Sequence, residues 1–291
     1  MTPPIAVVTG ANSGIGRAIA LHLAVRGLRV FGTVRDVAKA DKLRAMAADL
    51  GVSVELVELD IADDESVRNG FTQVLEQTGH VDLLVNNAGV GSVSVVEHCP
   101  PSLYLDVMNV NLCGPVRCTQ AVLPGMRARR QGCIVNISSI TGKVSPIAQS
   151  PYAASKHALE GMSDGLAQEL AAFGIRVAIV EPGITKSAIF AKNADARNDS
   201  GAYDAHYRRM FRFYGAGAAQ ATDPFEVAAV VYEAFTTDSP RLRYVTSWGG
   251  VESIEGRARM SDGDWIGLGA IESDDEYFRR FQELFGLDIA P

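Results

Sequence analysis

The sequence predicts an α/β protein in which helices cover both faces of a doubly wound parallel sheet. From the start to about residue 185, short runs rich in β-branched residues alternate with longer segments of helical periodicity. Such alternation is typical of right-handed β-α-β crossovers, which produce parallel sheets. A glycine-rich turn also follows the first run directly. Of the 291 residues 47% are hydrophobic and 21% charged, which excludes a chain that is disordered throughout.

The elements of the alternating part follow one another in a regular order. The predicted strands are Ile5–Thr9, Arg29–Val34, Ser53–Glu58, Val81–Val85, Gly132–Ile137 and Arg176–Glu181. The predicted helices between them lie near 15–27, 38–50, 64–78, 102–130 and 151–173. The chain shows neither an internal repeat nor a Pro/Gly/Ser-rich linker, so we predict a single domain over residues 1–291.

The pattern changes after Pro182-Gly183. Aromatic and methionine residues then recur at helical spacing and draw an apolar stripe along one helix face. They are Tyr203, Tyr207, Met210, Phe211 and Tyr214, interleaved with Arg208, Arg209 and Arg212. A helix near 224–236, a strand near 243–247 and a last helix around Glu276–Phe285 are predicted beyond the stripe. Residues from about 250 to 291 form an acidic C-terminal extension.

Charge and cysteine usage exclude several classes of function. The formal net charge of −7 disfavours a nucleic-acid partner, which requires a basic surface. The four cysteines form no C-x-x-C pair and have no histidines at metal spacing, so we expect small buried hydrophobic side chains, with no metal site and no disulfide framework. No apolar run reaches the ~18 residues of a membrane span, and the N-terminus lacks the basic region of a signal peptide. We therefore expect a cytoplasmic protein with no integral membrane segment.

The turn Thr9–Gly16 joins the first predicted strand to the first predicted helix. Gly10, Gly14 and Gly16 lack side chains where the backbone must approach a pyrophosphate, and a helix N-terminus follows, which favours anions. A strand, a turn and a helix in this order predict a dinucleotide site, with a ligand-free glycine turn as the alternative. Because no Gly-Lys-Ser/Thr follows such a turn, a triphosphate-binding loop is disfavoured.

The end of the second predicted strand indicates which dinucleotide is bound. An enzyme that reads a free adenosine ribose has Asp or Glu there, whereas this chain has Thr33-Val34-Arg35-Asp36. The guanidinium of Arg35 suits a 2′-phosphate, so NADP(H) is preferred over NAD(H). Asp36 would serve as the acid if the register shifted by two residues. Arg17 either adds positive charge near the same phosphate or is a solvated residue of the first helical turn.

Tyr152 and Lys156 are four residues apart in a segment of helical periodicity. This spacing places both side chains on one helix face. A cation beside a phenol favours the phenolate, so Lys156 is predicted to lower the Tyr152 pKa from its usual ~10. Tyr152 would then act as a proton donor and acceptor. Such a pair is common, and taken alone it would be interpreted as two residues on a helix surface.

Together these motifs resemble the short-chain dehydrogenase/reductase family, and most of all its 17β-hydroxysteroid and retinol dehydrogenase members. The Thr9–Gly16 turn is similar to the family's cofactor fingerprint, and Asn86-Asn87-Ala88-Gly89 to its second motif. Asn111, Ser139 and the Glu181-Pro182-Gly183 turn match further motifs in the same order. The resemblance covers residues 5–187 and implies a Rossmann-type fold.

The resemblance also implies a role for each matching residue. Tyr152 would protonate a carbonyl oxygen or deprotonate an alcohol, and Lys156 would bind the nicotinamide ribose and lower the Tyr152 pKa. Ser139 would hydrogen-bond the substrate oxygen, with Ser138 as the alternative. Asn111, for which Asn109 could be mistaken, would hold a water that links Lys156 to solvent.

The implied cofactor contacts extend along the whole predicted site. They are Gly10, Asn12, Ser13, Gly14, Ile15, Gly16, Arg35, Asp60, Ile61, Asn87, Ala88, Gly89, Tyr152, Lys156, Pro182, Gly183 and Ile184. Asp60 would contact the adenine and Asn87 the adenosine-side ribose. Ile184 and Gly183 would contact the nicotinamide face.

Relatives place their substrate-binding loop after the Pro-Gly turn, so residues 187–220 are predicted to form a helical lid over a hydrophobic alcohol or ketone, steroid-like or retinoid-like. Packing of the aromatic stripe against the body or a second subunit is the alternative. Two other functions remain open, an acyl-thioester ketoreductase and a non-catalytic dinucleotide sensor. The helices near 102–130 and 151–173 are where relatives associate, which implies a homodimer or homotetramer.

Overall fold

Seven parallel strands form one sheet in the part of the chain that the structure, a computed structural model, describes: residues 2–186 and 200–291. They are β1 Ile5–Val8, β2 Arg29–Val34, β3 Glu55–Glu58, β4 Leu83–Asn86, β5 Gly132–Ile137, β6 Ile175–Pro182 and β7 Arg243–Thr246. The spatial order β3-β2-β1-β4-β5-β6-β7 confirms the predicted doubly wound α/β fold, of Rossmann type. The order reverses between β1 and β4, where such sheets bind ligands beyond the carboxyl ends of their strands.

Helices cover both faces of this sheet. They are α1 Gly14–Val25, α2 Asp41–Asp49, α3 Asp64–Thr78, α4 Pro101–Met108, α5 Gly114–Arg129, α6 Ser150–Ala171, α7 Asp204–Ala219, α8 Pro224–Thr236, α9 Gly250–Arg259, α10 Asp262–Ala270 and α11 Asp274–Phe285. The apolar stripe predicted after residue 200 lies on α7. The part of the predicted lid between 187 and 199 lies outside the described residues.

Helices bury both faces of the sheet, and successive side chains of each strand point to opposite faces. In β1, Ala6 and Val8 pack with α1, α2 and α8, whereas Ile5 and Val7 pack on the opposite side with α3, α5 and α6. This alternation explains why the first strand is an unbroken apolar run. It also holds the end of β1, and the turn that follows, between two packed layers.

The single helix predicted near 102–130 is wrong in one respect. The turn Asn109–Cys113 is π-helical and separates α4 from α5. Pro115, in the first turn of α5, has no amide hydrogen to donate to a carbonyl four residues earlier, which disfavours a continuous α-helical pattern. The wider turn carries Asn111, one of the residues of interest.

The C-terminal extension contains two helices that the sequence analysis missed, α9 and α10. The signal at α10 is a capping box in which Ser261 and Asp264 bond each other's backbone amides. Side chains of α10, α11 and the last residues form a separate apolar cluster with Trp248 and Phe213. The extension therefore packs beside α7.

Two further expectations concern the burial of the cysteines and membrane-spanning helices. Of the four cysteines, all free, Cys113 is exposed, which corrects the expectation that every cysteine is buried. Over 2–186 and 200–291, the helices are too short or too polar to cross a membrane.

Candidate active site

A cavity of about 880 Å³ lies at the carboxyl ends of the central strands. Gly10 follows β1 in this cavity, Arg35 follows β2, Asn87 follows β4, Ser138 follows β5 and Gly183 follows β6. Because parallel strands end at the same edge of a sheet, five loops that are distant in sequence line one crevice. Its volume falls within the ~300–1,000 Å³ of small-molecule and cofactor sites.

Glycine is required at Gly10 and Gly16 for a second reason, which the sequence did not indicate: the loop after β4 lies against them. Gly10 has a φ of +69°, and a Cβ there would lie 2.9 Å from the Ala88 Cα. A Cβ on Gly16 would overlap the Asn87 Nδ2 and the Gly10 carbonyl oxygen. The loops after β1 and β4 are therefore in contact, and the glycines at these positions are required by the protein itself as well as by a bound phosphate.

Thr9 holds these two loops together. Its hydroxyl accepts hydrogen bonds of 3.0 Å from the backbone amides of both Asn87 and Ala88. The Asn87 side chain in turn donates to the Thr9 carbonyl at 2.9 Å. Thr9 belongs to the fingerprint but had no predicted role, and its bonds show that it joins the loops after β1 and β4.

At the end of β2, Asp36 is bonded within its own loop, whereas Arg35 lines the cavity. Asp36 accepts from the Ala38 amide at 2.9 Å and pairs with the Lys39 ammonium at 3.0 Å, which holds the pKa of Asp36 below its usual value. Arg35 is exposed, lines the cavity and makes no hydrogen bond or ion pair with the residues described. Arg17 donates to the Asn12 carbonyl at 3.1 Å and does not line the cavity, so its predicted approach to the phosphate is not supported.

Ser139, Tyr152 and Lys156 line the same cavity at its other end. The Lys156 side chain is buried, its ammonium donates to the Ile137 carbonyl at 2.8 Å, and it lies 5.7 Å from the centre of the Tyr152 ring. Burial lowers the pKa of Lys156 to about 8, an effect that the charge of Glu160 opposes. The three residues that the motifs single out are therefore brought together.

The predicted direction of the Tyr152 pKa shift is wrong for this structure. Burial raises the Tyr152 pKa to about 12, and the nearby hydroxyls of Ser139 and Thr141 only partly offset the rise. Lys156 does not reverse the rise, since its ammonium donates to the Ile137 carbonyl and lies 5.7 Å from the centre of the Tyr152 ring. The effect of the Ser139 hydroxyl on the Tyr152 pKa favours that serine over Ser138 as the partner of the phenol, although both line the cavity.

Asn111 lies beside the cavity without lining it. Its side-chain amide donates to the Val90 carbonyl and to the Ser155 hydroxyl, each at 2.9 Å, and its oxygen accepts from the Val90 amide at 2.9 Å. Both amide hydrogens are thereby used. These contacts make the side chain a clamp between the loop after β4 and α6. The expected role of Asn111 in holding a water stays a prediction.

Most predicted cofactor contacts line the cavity, and one does not. Ile184 is buried, and its backbone bonds to Trp248 and Thr222 direct it away, so Thr185 lines the cavity instead. Other lining residues that the motifs did not single out are Thr33, Val34, Lys39, Leu59, Ala62, Val90, Gly91, Val110 and Ile137. They carry no spacing signal, because only the strand order brings them to this edge.

A partly buried cluster of charged side chains lies next to Lys156 along α6. The carboxylate of Glu160, one helical turn after Lys156, pairs with Lys143 at 3.1 Å and with Arg243 at 3.0 Å. Glu181, at the end of β6, is only 1% exposed and lies 3.6 Å from Arg243. Burial, together with the charge of Glu160, raises the pKa of Glu181 to about 7.

This cluster predicts how stability depends on pH. Because the Glu181 pKa rises from 4.5 to about 7 on folding, the folded state binds more protons in that range, and the free energy of unfolding falls as pH rises through it. Glu181→Gln should remove this part of the pH dependence in urea unfolding curves. The matched control is Asp164→Asn, which removes a more exposed partner of Arg243. An unchanged difference in stability between pH ~5 and ~8 in the Gln variant would contradict the prediction.

Doubly wound proteins that combine such a glycine-rich turn with a Tyr-Lys helix at one crevice are dinucleotide-dependent oxidoreductases. This chain belongs to the short chain dehydrogenase family, which it matches over residues 4–198. It is an oxidoreductase that acts on CH–OH or C=O groups, and its family binds NAD(P).

Relatives with named activities differ in substrate. The chain is 42% identical to human retinol dehydrogenase 8 over 185 residues, which cover 62% of this chain and 58% of that protein. It is 34% identical to human 17-beta-hydroxysteroid dehydrogenase type 1 over 264 residues, covering 85% and 78%. It is also 34% identical to the 3-oxoacyl-[acyl-carrier-protein] reductase of Vibrio cholerae over 242 residues, covering 83% and 92%.

Solved structures share the architecture. A short-chain dehydrogenase from Streptomyces avermitilis superposes with a TM-score of 0.80 at 36% identity, covering 92% of this chain and 98% of that one. A metagenomic short-chain oxidoreductase in complex with NADP gives a TM-score of 0.68 at 31% identity, covering 84% and 97%.

Proposed function

We propose that this protein transfers a hydride between NADP(H) and a bulky hydrophobic alcohol or ketone of steroid-like or retinoid-like shape. The observation that carries the proposal is that Ser139, Tyr152 and Lys156 line one cavity with the glycine-rich turn and Arg35. Named relatives act on retinol and on 17β-hydroxysteroids. The acyl-thioester reductase among the relatives makes turnover of acyl thioesters the second candidate.

The side chains divide the proton chemistry among them. When bound, the nicotinamide supplies or accepts the hydride. With a pKa of about 12, Tyr152 is protonated at neutral pH and can donate its proton to a carbonyl oxygen in the direction of reduction. Ser139 orients that oxygen by a hydrogen bond, and the Lys156 ammonium stabilises the phenolate that remains. In the direction of oxidation, the alcohol proton passes to the Tyr152 phenolate oxygen.

The end of β2 supports a preference for NADP(H). The residues fit the cofactor, because Arg35 lines the cavity and its five donors are not bonded to any residue of 2–186 or 200–291, while the competing acid, Asp36, is held by Lys39. Lys39 lines the cavity too, paired with Asp36. A 2′-phosphate would therefore meet the Arg35 guanidinium, whereas a free ribose would find no uncommitted carboxylate at Asp36.

Replacing Arg35 should change cofactor preference. In Arg35→Gln we expect the Kd for NADPH to rise by about 10- to 100-fold, since a hydrogen bond to a charged group contributes roughly 1.5–3 kcal/mol. The Kd for NADH should remain near the wild-type value in the same fluorescence titrations. Arg68→Gln, an exposed arginine outside the cavity, is the matched control. Tighter binding of NADH than of NADPH by the wild type would reverse the assignment.

A substrate panel tests the reaction itself. We expect turnover of hydrophobic cyclic ketones and alcohols, followed through the absorbance of the reduced nicotinamide. Faster turnover of β-ketoacyl thioesters would select the second candidate. Tight NADPH binding without turnover of any panel member would indicate the third, a non-catalytic sensor.

We also infer that the protein is cytoplasmic and forms a homodimer or homotetramer through α4, α5 and α6. Two large apolar side chains on or just before α4 support association, since Val96 is 67% and Leu105 70% exposed. Sedimentation of the purified chain tests this inference.

A further inference from the structure

Arg209 on α7 is a buried charged side chain that the proposed chemistry does not use. Only 1% of it is exposed. Its guanidinium donates to the Asp274 carboxylate at 2.9 Å and to the Glu272 carbonyl at 3.0 Å, and it lies 4.4 Å from the centre of the Tyr277 ring. All three partners belong to the first turn of α11 or precede it directly. The contact therefore joins α7 to the C-terminal extension.

A second contact, one turn further along both helices, fixes the same alignment. Phe213, four residues after Arg209, lies 6.0 Å from Phe281, four residues after Tyr277, measured between ring centres. Phe213 also lies 5.8 Å from Trp248. Residues four apart share a helix face, so two successive turns of α7 are held by two successive turns of α11. Two such contacts restrict rotation of α7 about its axis as well as its position.

The other face of α7 packs against two segments that lead into the cavity, because Val95 follows the lining residues Val90 and Gly91, and Ala148 precedes Tyr152 by four residues. Tyr207 and Met210 are buried against Val95 and Ala148, and the Tyr207 hydroxyl accepts from the Val95 amide at 3.1 Å. Tyr214, further along this face, is raised in pKa by burial and also by its proximity to Tyr152. A rotation of α7 would therefore move aromatic side chains that border the proposed proton donor.

We propose that α11 positions the Tyr207, Met210 and Tyr214 face of α7 through the Arg209–Asp274 pair, and that the C-terminal extension thereby determines which bulky substrates fit beside Tyr152. This inference rests on the proposed function. A buried ion pair contributes little net stability, because desolvation of both charges offsets their attraction. An apolar side chain of similar length could fill the same space, which favours a role of Arg209 in orientation. Arg209 is thus a positioning residue.

The test compares substrates of two sizes in Arg209→Met and Asp274→Asn. For a bulky hydrophobic ketone we expect KM to rise about tenfold, because a misplaced apolar wall changes discrimination by this order. For a small ketone, kcat/KM should stay within about twofold of wild type, and the Kd for NADPH should not change. The matched control is Arg280→Met, because Arg280 lies on α11 with Asp274 but pairs with Asp264 and Glu283.

Hydrogen exchange supplies a readout that does not depend on activity. The amides of α7 should exchange faster in Arg209→Met than in wild type, while those of β4 and β5 stay protected. Equal KM values for the bulky ketone, together with unchanged exchange on α7, would overturn the inference. Equal losses for both ketones and for NADPH binding would also overturn it, since they indicate a general loss of structure. A wild type inactive on every panel member refutes the proposed function, and the exchange data then decide the role of α11 separately.

Discussion

Tyr152→Phe is expected to lower kcat by about 10²- to 10⁴-fold, the range that a positioned general acid contributes. The substitution removes one oxygen and keeps the ring. The phenol is protonated at neutral pH, and it lines the cavity together with Ser139, whose hydroxyl acts on its pKa. Without the phenol hydroxyl, negative charge that develops on a substrate oxygen would have no proton donor at this position.

The measurement separates chemistry from binding. The Kd for NADPH, determined by fluorescence titration, should stay within about threefold of wild type, because the lost oxygen is proposed to act on the substrate. Tyr104→Phe is the matched control, since it removes a phenol oxygen that bonds to the Ser150 hydroxyl at 2.7 Å outside the cavity lining. Turnover by Tyr152→Phe at the wild-type rate would assign the proton to another group.

Gly16→Ala is expected to weaken NADPH binding roughly 10- to 100-fold and to lower the free energy of unfolding by about 1–3 kcal/mol, the usual range for overpacking. The added Cβ would overlap the Asn87 amide nitrogen and the Gly10 carbonyl oxygen. Neither neighbour can move freely, because Asn87 is bonded to Thr9 through both its backbone and its side chain. The turn itself must therefore shift, and with it the start of α1.

A glycine with open space around it provides the control. Gly165 lies within α6, and a Cβ there would meet no atom within 4 Å. Gly165→Ala should raise stability by up to about 1 kcal/mol, because alanine is the better helix former. NADPH titration and urea unfolding of both variants distinguish the two cases. Wild-type NADPH affinity in Gly16→Ala would show that the contact between the two loops is not needed for binding.

The strands and the main helices could be predicted because their signals are local. Alternation of apolar side chains places Ile5 and Ala6 on opposite faces of β1, and it depends only on neighbours in the chain. The helices that were missed, α9 and α10, have weak local signals, since α10 contains three glycines in its nine residues. Packing of the extension beside α7 stabilises them.

The reaction class was assigned from the sequence through the resemblance of its motifs to the short-chain dehydrogenase/reductase family. The glycine-rich turn, the Tyr152 and Lys156 pair and the order of the motifs are all readable without a structure, because each motif acts through residues within one turn or loop. Roles that depend on partners distant in sequence required the fold. Asn111 bonds residues 21 and 44 positions away, and Arg209 pairs with a carboxylate 65 positions away.

The sign of the Tyr152 pKa shift also required the fold. The four-residue interval to Lys156 is local and predicts a lowered pKa, whereas desolvation depends on everything that surrounds the phenol, including α7 from a later part of the chain. Desolvation also acts on Lys156, whose own pKa falls. Chemistry-bearing residues were thus set by sequence spacing, while their charge states and their supporting contacts followed from burial and strand order, which exist only in the folded chain.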